Sequence, residues 1–547
     1  MTTKPHVLCL IAFLALFPIN LSAKPPVFDV RDHGAAADGK TLDTLAINKA
    51  IQAASAAPGG LVLFPPGKYL TATIHLKSNI TLLLDPAAEI VGAPDPELYQ
   101  NFNPPNSTPL STRNRWHRAL LLGVDVENVT ITGRGTINGN KVFDPRGEER
   151  MRGPHTILFG NSKNITLQDI HIKDSANYAV MLEFTSQVTV HNVKITGGWD
   201  GVHFRGWKDN PCKDITITDC QFYTGDDAIA GWFWENTLIA RCILNSSCNG
   251  IRLIGPAKNL IIHDCLFFGP GRFEHRTSRD QHRTNMLAGL CLQPGAWDRT
   301  EGALDEVQIS NITMHNVTTP LHLSLKPGNT AGRIQISNLT ATGLYRAAAS
   351  IESWADTLIE HVTLRDINLE FTGGGTPEQA RIPVRTPPVD ARPLPAWGLY
   401  ARNIKSLHLE NVRLTLQKDD ARPALIAENV ALLDLDTFKL PQSNETPLAL
   451  NAVQSVRLRD TDLKLIQAKC IDLNLTAKPL SATATVEAAN DHGLAKVELT
   501  LPDRTLTQWV WLKPLERKNV TFTNLPPLPP GKHNLTCPPL TRELVVE

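Results

Sequence analysis

No excess of charge of either sign marks this chain of 547 residues, in which 54 lysines and arginines balance 54 aspartates and glutamates. Proteins that bind nucleic acids or anionic membrane surfaces usually carry a clear surplus of positive charge. The balance therefore argues against both kinds of partner. Aromatic residues make up only 6% of the chain, whereas Asn, Thr, Ile, Val and Leu are abundant. This composition suits short strands and turns better than helical bundles.

The apolar run at the N-terminus is too short for a membrane anchor, which needs about 20 apolar residues. A charged start at Lys4 is followed by apolar residues up to Phe17, and Pro18 and Asn20 then end the run. Small residues follow it, as they do before a cleavage site. We interpret residues 1–23 as a secretory signal peptide and predict a secreted or periplasmic protein.

Cysteines are too few to define the fold: the chain has nine, of which eight follow the predicted signal peptide. Export would permit disulfides. Cys220, Cys242 and Cys265, however, occupy one position of a repeat that elsewhere holds Ile, Val or Leu. We interpret them as a column of small apolar core side chains. The sequence leaves open two further pairings, Cys470 with Cys537 and Cys248 with Cys291.

A β-type segment recurs along most of the chain, as NITLQDIHI around Ile170, VTVHNVKI around Val193 and ITITDCQF around Cys220. Apolar and polar residues alternate with period two, which indicates strands and not helices. Repeats of this length are typical of solenoids, in which each unit buries its face against its neighbours. Beyond Cys265 the same position recurs at Ile312, Leu339, Ile367, Val412, Phe438 and Thr461.

These features predict an all-β fold, a right-handed parallel β-helix over residues 24–477. One amphipathic helix near the start, with an apolar face formed by Leu45, Ile47, Ala50 and Ile51, is expected to cap it. Around Leu480 the repeat gives way to short alternating strands separated by Pro, Gly and Asp. We predict a small C-terminal β-sandwich over residues 478–547, which contains no obvious catalytic cluster.

Many repeats carry Asn before or after the strand, which produces several Asn-x-Ser/Thr triplets, including those at Asn79 and Asn164. Such triplets are acceptors for glycosylation in exported proteins. Asn also suits turn conformations. We favour turn formation as the reason for the recurring Asn.

Three aspartates stand out against this repeat. Counting seven residues on from Val193, Cys220 and Cys242 leads to Asp200, Asp227 and Asn249, and Asp226 lies one step before that column. Neighbouring coils would be spaced like paired strands, about 4.8 Å apart. Carboxylates held that close together are costly unless they have a use. The register therefore indicates a functional site.

Paired carboxylates have a direct use in inverting glycoside hydrolysis, where one acid protonates the leaving oxygen and one carboxylate activates water. Crowding raises the pKa of one member of such a set and keeps it protonated. Alternatively, the Asp226–Asp227 pair could form an exposed turn, or the cluster could bind calcium through its oxygen atoms. The in-register Asp200 favours catalysis, and we predict no cofactor and no bound metal.

At this point the residues show a family resemblance. The opening FDVRDHGAAADGKTLDTLAINKAI, the repeat array, Trp199-Asp200-Gly201 and Gly225-Asp226-Asp227 resemble the polygalacturonase-like proteins of glycoside hydrolase family 28 over roughly residues 25–470. The resemblance implies a pectin-type hydrolase that acts with inversion. It implies that Asp226 is the general acid and that Asp200 and Asp227 hold and activate the water.

The chain departs from this family at two places. The family has a His-Gly pair where this chain has Asn249-Gly250, and an Arg-x-Lys pair that grips the substrate carboxylate where this chain has Gly289 to Gln293. Cys and Gln cannot replace those charges. Arg252 and a basic loop containing Arg276, Arg279, His282 and Arg283 could supply charge, although such a loop is often simply solvated. Candidate substrate-binding residues are Asn249, Arg252, Arg279, His282 and Gln293.

The tryptophans of this region are a further candidate contact for sugars, since aromatic rings stack on them. Trp199, Trp207, Trp232, Trp234 and Trp297 cluster here; some are expected to pack the coil ends and one or two to face the substrate.

Our leading hypothesis is a secreted, monomeric glycoside hydrolase acting on a pectin-like or other acidic polysaccharide or oligosaccharide. One alternative is a β-helix lyase, which would cleave uronates by elimination and would need Ca²⁺ and a basic proton acceptor. Another is a carbohydrate-binding protein that kept the scaffold and lost the chemistry. The excursions at 93–115, 271–288 and 373–395 could block one end of a groove and favour action on chain ends.

Overall fold

Parallel strands stacked in register dominate the computed structural model of the chain. It describes residues 25–57, 59–101, 117–276, 282–441, 447–477, 479–523 and 525–546, so the predicted signal peptide lies outside the described residues. Within these ranges, no helix is both long and apolar enough to cross a membrane.

The strand pairings fall into three parallel ladders, which together form a right-handed parallel β-helix. The first, called the front ladder below, consists of Ile74–His75, Ala119–Val124, His155–Gly160, Val180–Glu183, Val202–Arg205, Ile229–Trp232, Asn249–Leu253, Ala288–Leu292, Leu321–Leu325, Ala349–Ser353, Leu399–Leu416, Leu425–Asp436 and Leu448–Asn451. This confirms the fold class expected from the repeat.

The other two ladders complete each coil. The second consists of Val27–Asp29, Gly60–Phe64, Ile80–Leu84, Glu127–Thr132, Lys163–Gln168, Ser186–His191, Cys212–Thr218, Trp234–Ala240, Ala257–Phe268, Gly302–His315, Arg333–Leu344, Ile359–Phe371 and Ser455–Arg459, with Asn329–Ala331 beside it. The third consists of Asp38–Leu42, Gly67–Thr71, Ala88–Gly92, Thr136–Asn138, His171–Lys173, Lys194–Thr196, Gln221–Thr224 and Ile243–Ser246.

The three cysteines of the repeat occupy a column in the core, as the sequence predicts. Cys220, Cys242 and Cys265 are 1%, 1% and 3% exposed. The strand register then pairs Cys265 with Ile312, Ile312 with Leu339, and Leu339 with Ile367. All eight cysteines of the described residues are free and buried, so neither of the disulfides left open by the sequence forms in the structure.

Asparagines stabilise the turns between ladders. Asn79, Asn128 and Asn164 have φ values of 62°, 59° and 54°, in the left-handed region that Asn tolerates better than most residues. Their side chains hydrogen-bond along the stack, with Asn128 Nδ2 donating to Asn79 Oδ1 at 2.7 Å and Asn164 Nδ2 to Asn128 Oδ1 at 2.6 Å. These contacts support turn chemistry as the reason for the recurring Asn.

A single α-helix, Thr44–Ala56, lies at the N-terminal end of the described coils and buries Ile47, Ala50 and Ile51. Leu45, which the sequence analysis assigned to its apolar face, is 68% exposed. Short 3₁₀ turns occur at Pro96–Leu98, Glu148–Arg150 and Gln379–Arg381.

Two sheets follow the last coil and share one apolar core; their strands pair antiparallel, except that Leu465–Ile466 pairs parallel with Gly493–Thr500. Their strands are Leu465–Ile466, Ala468–Ala477, Leu480–Ala488, Gly493–Thr500, Thr505–Leu512, Arg517–Phe522, Gly531–Cys537 and Leu540–Val546. This arrangement matches the expected C-terminal β-sandwich. The first of these strands belong to residues that the sequence analysis placed in the larger domain; the division into domains at 477 and 478 itself stays a prediction.

Candidate active site

The three aspartates lie at the point where the chain enters successive strands of the front ladder. Val202 pairs with Ile229 and Ile229 with Ile251, which places Asp200, Asp227 and Asn249 in one column. The backbone N–H of Asp227 donates to Asp200 Oδ1 at 3.2 Å. The backbone and side-chain amides of Asn249 donate to Asp227 Oδ1 at 2.9 and 2.7 Å. Each of these two carboxylates is thus fixed by the next coil.

Burial and mutual repulsion raise the pKa of two of these carboxyls. Burial, followed by the charges of Asp226 and Asp227, raises the pKa of Asp200 well above its usual value. Burial also raises the pKa of Asp227, although the Arg252 guanidinium opposes it. Both side chains therefore retain a proton to higher pH than an exposed aspartate does.

Asp226 behaves in the opposite way. Burial disfavours its charge, but the neighbouring His275 side chain and the Arg152 guanidinium outweigh burial and lower its pKa. Arg152 Nη2 lies 2.9 Å from Asp226 Oδ2, and His275 Nδ1 lies 3.5 Å from Oδ1. The same Nδ1 lies 3.2 Å from the carbonyl oxygen of Gly225; since a carbonyl only accepts, Nδ1 carries the hydrogen. The pKa of Asp226 is thus shifted in the opposite direction to the pKa values of its two neighbours.

His203 holds the side chain of Asp200 in position through a hydrogen bond. Its Nδ1 lies 2.6 Å from Asp200 Oδ2, and its ring stacks on Tyr178 with centroids 4.3 Å apart and planes inclined by 7°. Burial, followed by the charge of Arg205, lowers the pKa of His203 well below its usual value. The Asp200 carboxyl is therefore hydrogen-bonded to an imidazole that stays neutral to lower pH than an exposed histidine does.

Arginines from distant parts of the sequence converge on the same place. Arg152 precedes the strand His155–Gly160, and its guanidinium lies 5.0 Å from the ring centroid of Trp199. Arg252 belongs to the strand Asn249–Leu253, and its Nη1 lies 3.5 Å from Asp227 Oδ2. Arg283 donates from Nη2 to Cys248 Sγ at 3.0 Å. The site therefore has cations on both sides of the carboxylates.

A cavity of about 430 Å³ opens over these groups, which is within the size range of small-molecule sites. It is lined by Glu148, Glu149, Arg152, Tyr178, Asp200, His203, Arg205, Asp226, Asp227, Trp232, Cys248, Arg252, Ile254, His275, Arg283, Trp297, Asp298, Val389 and Asp390. Carboxyls, guanidinium groups and aromatic rings face one space. That combination can bind a charged sugar and transfer protons to it.

The structure brings together only part of the predicted binding set. Arg252 lines the cavity, whereas Asn249 is fully buried and contacts Asp227. Gln293 is fully buried and does not line the cavity. His282 is exposed and pairs with Glu274 at 2.9 Å, also away from the cavity. Arg279 lies outside the described residues.

The tryptophans divide between the core and the cavity, as expected. Trp232 and Trp297 line the cavity, and Trp199 lies beneath the guanidinium of Arg152. Trp234 is fully buried, while Trp207 packs against Phe233 with ring centroids 5.3 Å apart.

Several residues of the cavity were not predicted from the sequence. His203 and Arg205 alternate along the strand that follows Asp200, and the period of two could have identified both as outward-facing. Arg152, His275 and Asp390 lie outside the front ladder's strands, in segments that follow no repeat, so no periodic signal could have placed them.

One cluster could in principle hold a metal ion. Ligand atoms of Asp226, Asp227 and Cys248 lie within 4.8 Å of one another. Calcium prefers six to eight oxygen ligands, and a thiol does not supply them. Burial, followed by the charges of Asp227 and Asp226, also raises the pKa of the Cys248 thiol well above its usual value, which disfavours the thiolate that softer metals need. The donor set does not fit the calcium site considered from the sequence.

Known proteins resemble this chain in sequence. A family model described as rhamnogalacturonase A/epimerase, pectate lyase-like, matches residues 27–252. An exopolygalacturonase of Arabidopsis thaliana is 22% identical, over 64% of this chain and 81% of the relative. A polygalacturonase of Gossypium barbadense is 22% identical, over 68% of this chain and 91% of the relative.

Similarity to solved structures concerns the fold. The structure of an exopolygalacturonase from Thermotoga maritima aligns with a TM-score of 0.50 and 19% identity, covering 71% of this chain and 91% of that one. This agrees with the parallel β-helix described above.

Proposed function

We propose that this chain, a divergent relative of the polygalacturonase-like proteins of glycoside hydrolase family 28, hydrolyses glycosidic bonds of a pectin-like or other acidic polysaccharide or oligosaccharide. The observation that carries the proposal is the cluster of Asp200, Asp226 and Asp227 in one cavity, with guanidinium groups beside Asp226 and Asp227. The names of its relatives, which are polygalacturonases, support the same class of substrate.

Hydrolysis with inversion needs one acid and one base on opposite faces of the sugar. The oxygen of a water molecule attacks the anomeric carbon as the carboxylate base takes its proton, and the glycosidic C–O bond breaks as the acid protonates the leaving oxygen. In our proposal Asp226 donates the proton, while Asp200 and Asp227 hold and activate the water.

The ion pair between Arg152 and Asp226 makes this assignment depend on the substrate. Asp226 can donate a proton only after it has gained one, and the guanidinium at 2.9 Å opposes protonation. The carboxylate of an acidic sugar competes for the same guanidinium, because arginine binds carboxylates through two parallel hydrogen bonds. An acidic unit bound at Arg152 would therefore release Asp226 and allow its pKa to rise. This supports a uronate next to the bond that is cleaved.

The central test is to incubate the protein with pectic, rhamnogalacturonan and algal glycans and to follow products by mass and anomeric configuration. Inverted reducing ends are expected from the wild type, and Asp226→Asn should abolish them. Asp209→Asn, the same change at an exposed position, is the matched control. Full activity of the Asp226→Asn variant would refute the assignment. Unsaturated products would indicate a lyase, and binding without turnover a carbohydrate-binding protein.

We further expect export of the chain and a monomeric state. Residues 1–23 have the charge and apolar pattern of a signal peptide. N-terminal sequencing of the protein recovered outside the cytoplasm tests the first point, and an N-terminus at Met1 would contradict it. Sedimentation analysis tests the second.

A further inference from the structure

The chain between the strands Ile359–Phe371 and Leu399–Leu416 runs back across the outer face of the front ladder. Arg392 anchors it by donating to both oxygens of the fully buried Glu352 at 2.9 and 2.7 Å. The carbonyl of the nearby Val389 accepts from Arg252 Nη2 at 2.6 Å. Lys326 contacts the carbonyl of Pro387. We call residues 372–398 the covering segment.

The covering segment ends the groove just beyond Arg252. The register of the front ladder continues from Arg252 to Cys291, His322 and Ser350, and these three outward-facing residues are 0%, 1% and 1% exposed. Open sheet surface is thus replaced by packed protein on the C-terminal side. A sugar chain in the cavity meets a wall here.

Asp390 is the charged side chain that this wall presents. Its carboxylate oxygens lie 3.8 Å from Arg252 Nη2 and 3.9 Å from Arg283 Nη1, and its side chain is 33% exposed. Arg283 is held in place through Cys248 Sγ at 3.0 Å and the carbonyl of Ser247 at 3.3 Å. The two guanidinium groups therefore already face a carboxylate that belongs to the protein.

An incoming uronate would need the position that the Asp390 carboxylate holds. Like charges brought within about 4 to 6 Å repel each other and disfavour the charged form, and the anchors of the covering segment oppose its withdrawal. A neutral sugar meets no such repulsion. Its hydroxyl groups can donate to Asp390, and its apolar face can lie on Trp297, which is 54% exposed and lines the same cavity.

We propose that Asp390 determines specificity at this wall by excluding a uronate and accepting a neutral sugar unit. The inference rests on the proposed function, since it takes the cavity to be a saccharide site. With an acidic unit at Arg152 and a neutral unit at Asp390, the substrate class becomes a heteroglycan in which acidic and neutral sugars are neighbours.

Binding of galacturonic acid and of its methyl ester tests this, because the two differ in charge and little in shape. Titrations are followed by tryptophan fluorescence, and Trp297→Phe identifies the part of the signal that comes from this wall. In the wild type, the Trp297 signal should respond to the ester and not to the acid. In Asp390→Asn the acid should bind at least about tenfold more tightly than in the wild type, since one repelling charge is gone. Glu378→Gln, the same chemical change at an exposed position of the covering segment, should behave as the wild type.

Equal binding of acid and ester at the wild-type wall would overturn the proposal. An unchanged preference between acid and ester in Asp390→Asn would also overturn it, as would the absence of a Trp297-dependent signal with either sugar. Circular dichroism establishes that each variant is folded. These titrations need no turnover, so a shift in preference without hydrolysis would remove the proposed function alone. Hydrolysis with an unchanged preference would remove this inference alone.

Discussion

Replacing Arg152 by Met should raise the pKa of Asp226, and the size of this effect follows from the ion pair between the two side chains. Opposite charges 2.9 Å apart attract by about 6 kcal/mol at an effective dielectric constant of 20. The cost of burying both groups offsets part of this attraction. An arginine beside an aspartate commonly lowers its pKa by roughly one to three units. Removing Arg152 therefore raises the pKa of Asp226 by an amount that a pH profile resolves.

The assay is the pH dependence of kcat/KM on a methyl-esterified substrate, which has no carboxylate to compete for Arg152. A proton donor is active below its pKa and loses activity as the pH rises through it. Because Arg152 holds the pKa of Asp226 down, the basic limb of the wild-type profile lies at low pH. In Arg152→Met that limb should move upward by about one to three pH units.

Arg241→Met is the matched control, because it removes an exposed arginine that pairs with Asp219 at 2.7 Å, outside the cavity. Its profile should equal that of the wild type. A basic limb that stays in place in Arg152→Met would refute the role of Asp226 as proton donor. The raised pKa of Asp200 would then make that carboxyl the next donor to test.

Three further predictions follow from packing and charge. Asp200→Asn should lower turnover by about 10²- to 10⁴-fold and leave the melting temperature at pH 7 unchanged or raised. Because the pKa of Asp200 is raised in the folded state, the folded protein loses stability as the pH rises and this carboxyl ionises, whereas an amide does not ionise. A marked drop in melting temperature would contradict this prediction. Arg392→Met should destabilise the fold by about 3–5 kcal/mol because it leaves Glu352 buried without its arginine. The double variant Arg392→Met/Glu352→Gln should recover part of this loss. Denaturant unfolding measures the stability of both variants, and equal losses would contradict the pairing. Gly250→Ala should also destabilise, because a Cβ there would meet an aromatic carbon at 2.3 Å and a carbonyl oxygen at 2.6 Å; a melting temperature equal to that of the wild type would show that the coil can relax.

The sequence predicted the ladder register because each coil repeats the same alternation and the same turn chemistry. Asp200, Asp227 and Asn249 could therefore be placed in one column by counting residues, and the structure confirms that column. Gln293 was a candidate through the family resemblance and not through this count, and it does not line the cavity. The strand Ala288–Leu292 pairs Ala288 with Asn249, and Gln293 follows the strand's last residue, where it is fully buried.

Residues outside the repeating strands were beyond this kind of prediction. Arg152, His275 and Asp390 reach the cavity through segments whose paths depend on single contacts, such as the hydrogen bond from Arg252 to Val389. The basic loop after Cys265 was considered both as a solvated loop and as a source of charge for the site; His275 and Arg283 line the cavity, whereas His282 pairs with Glu274. Spacing within a loop carries no information about which side chain faces inward.

The two departures from the family pattern have a common electrostatic consequence. Asn249 supplies two N–H donors to Asp227 and no titrating group, so the imidazole nearest Asp226 is His275 from the following excursion. Cations are also present despite the sequence Gly289 to Gln293: Arg252 and Arg283 lie on one side of the carboxylates, but Asp390 faces both. Arg152, on the other side, pairs with Asp226 and Glu148 and lies over the ring of Trp199; in our proposal an acidic sugar takes the place of Asp226 there. In our proposal the acidic sugar displaces Asp226 from Arg152, whereas the anchors of the covering segment keep Asp390 in place, so that the two sides of the cavity select for different sugars.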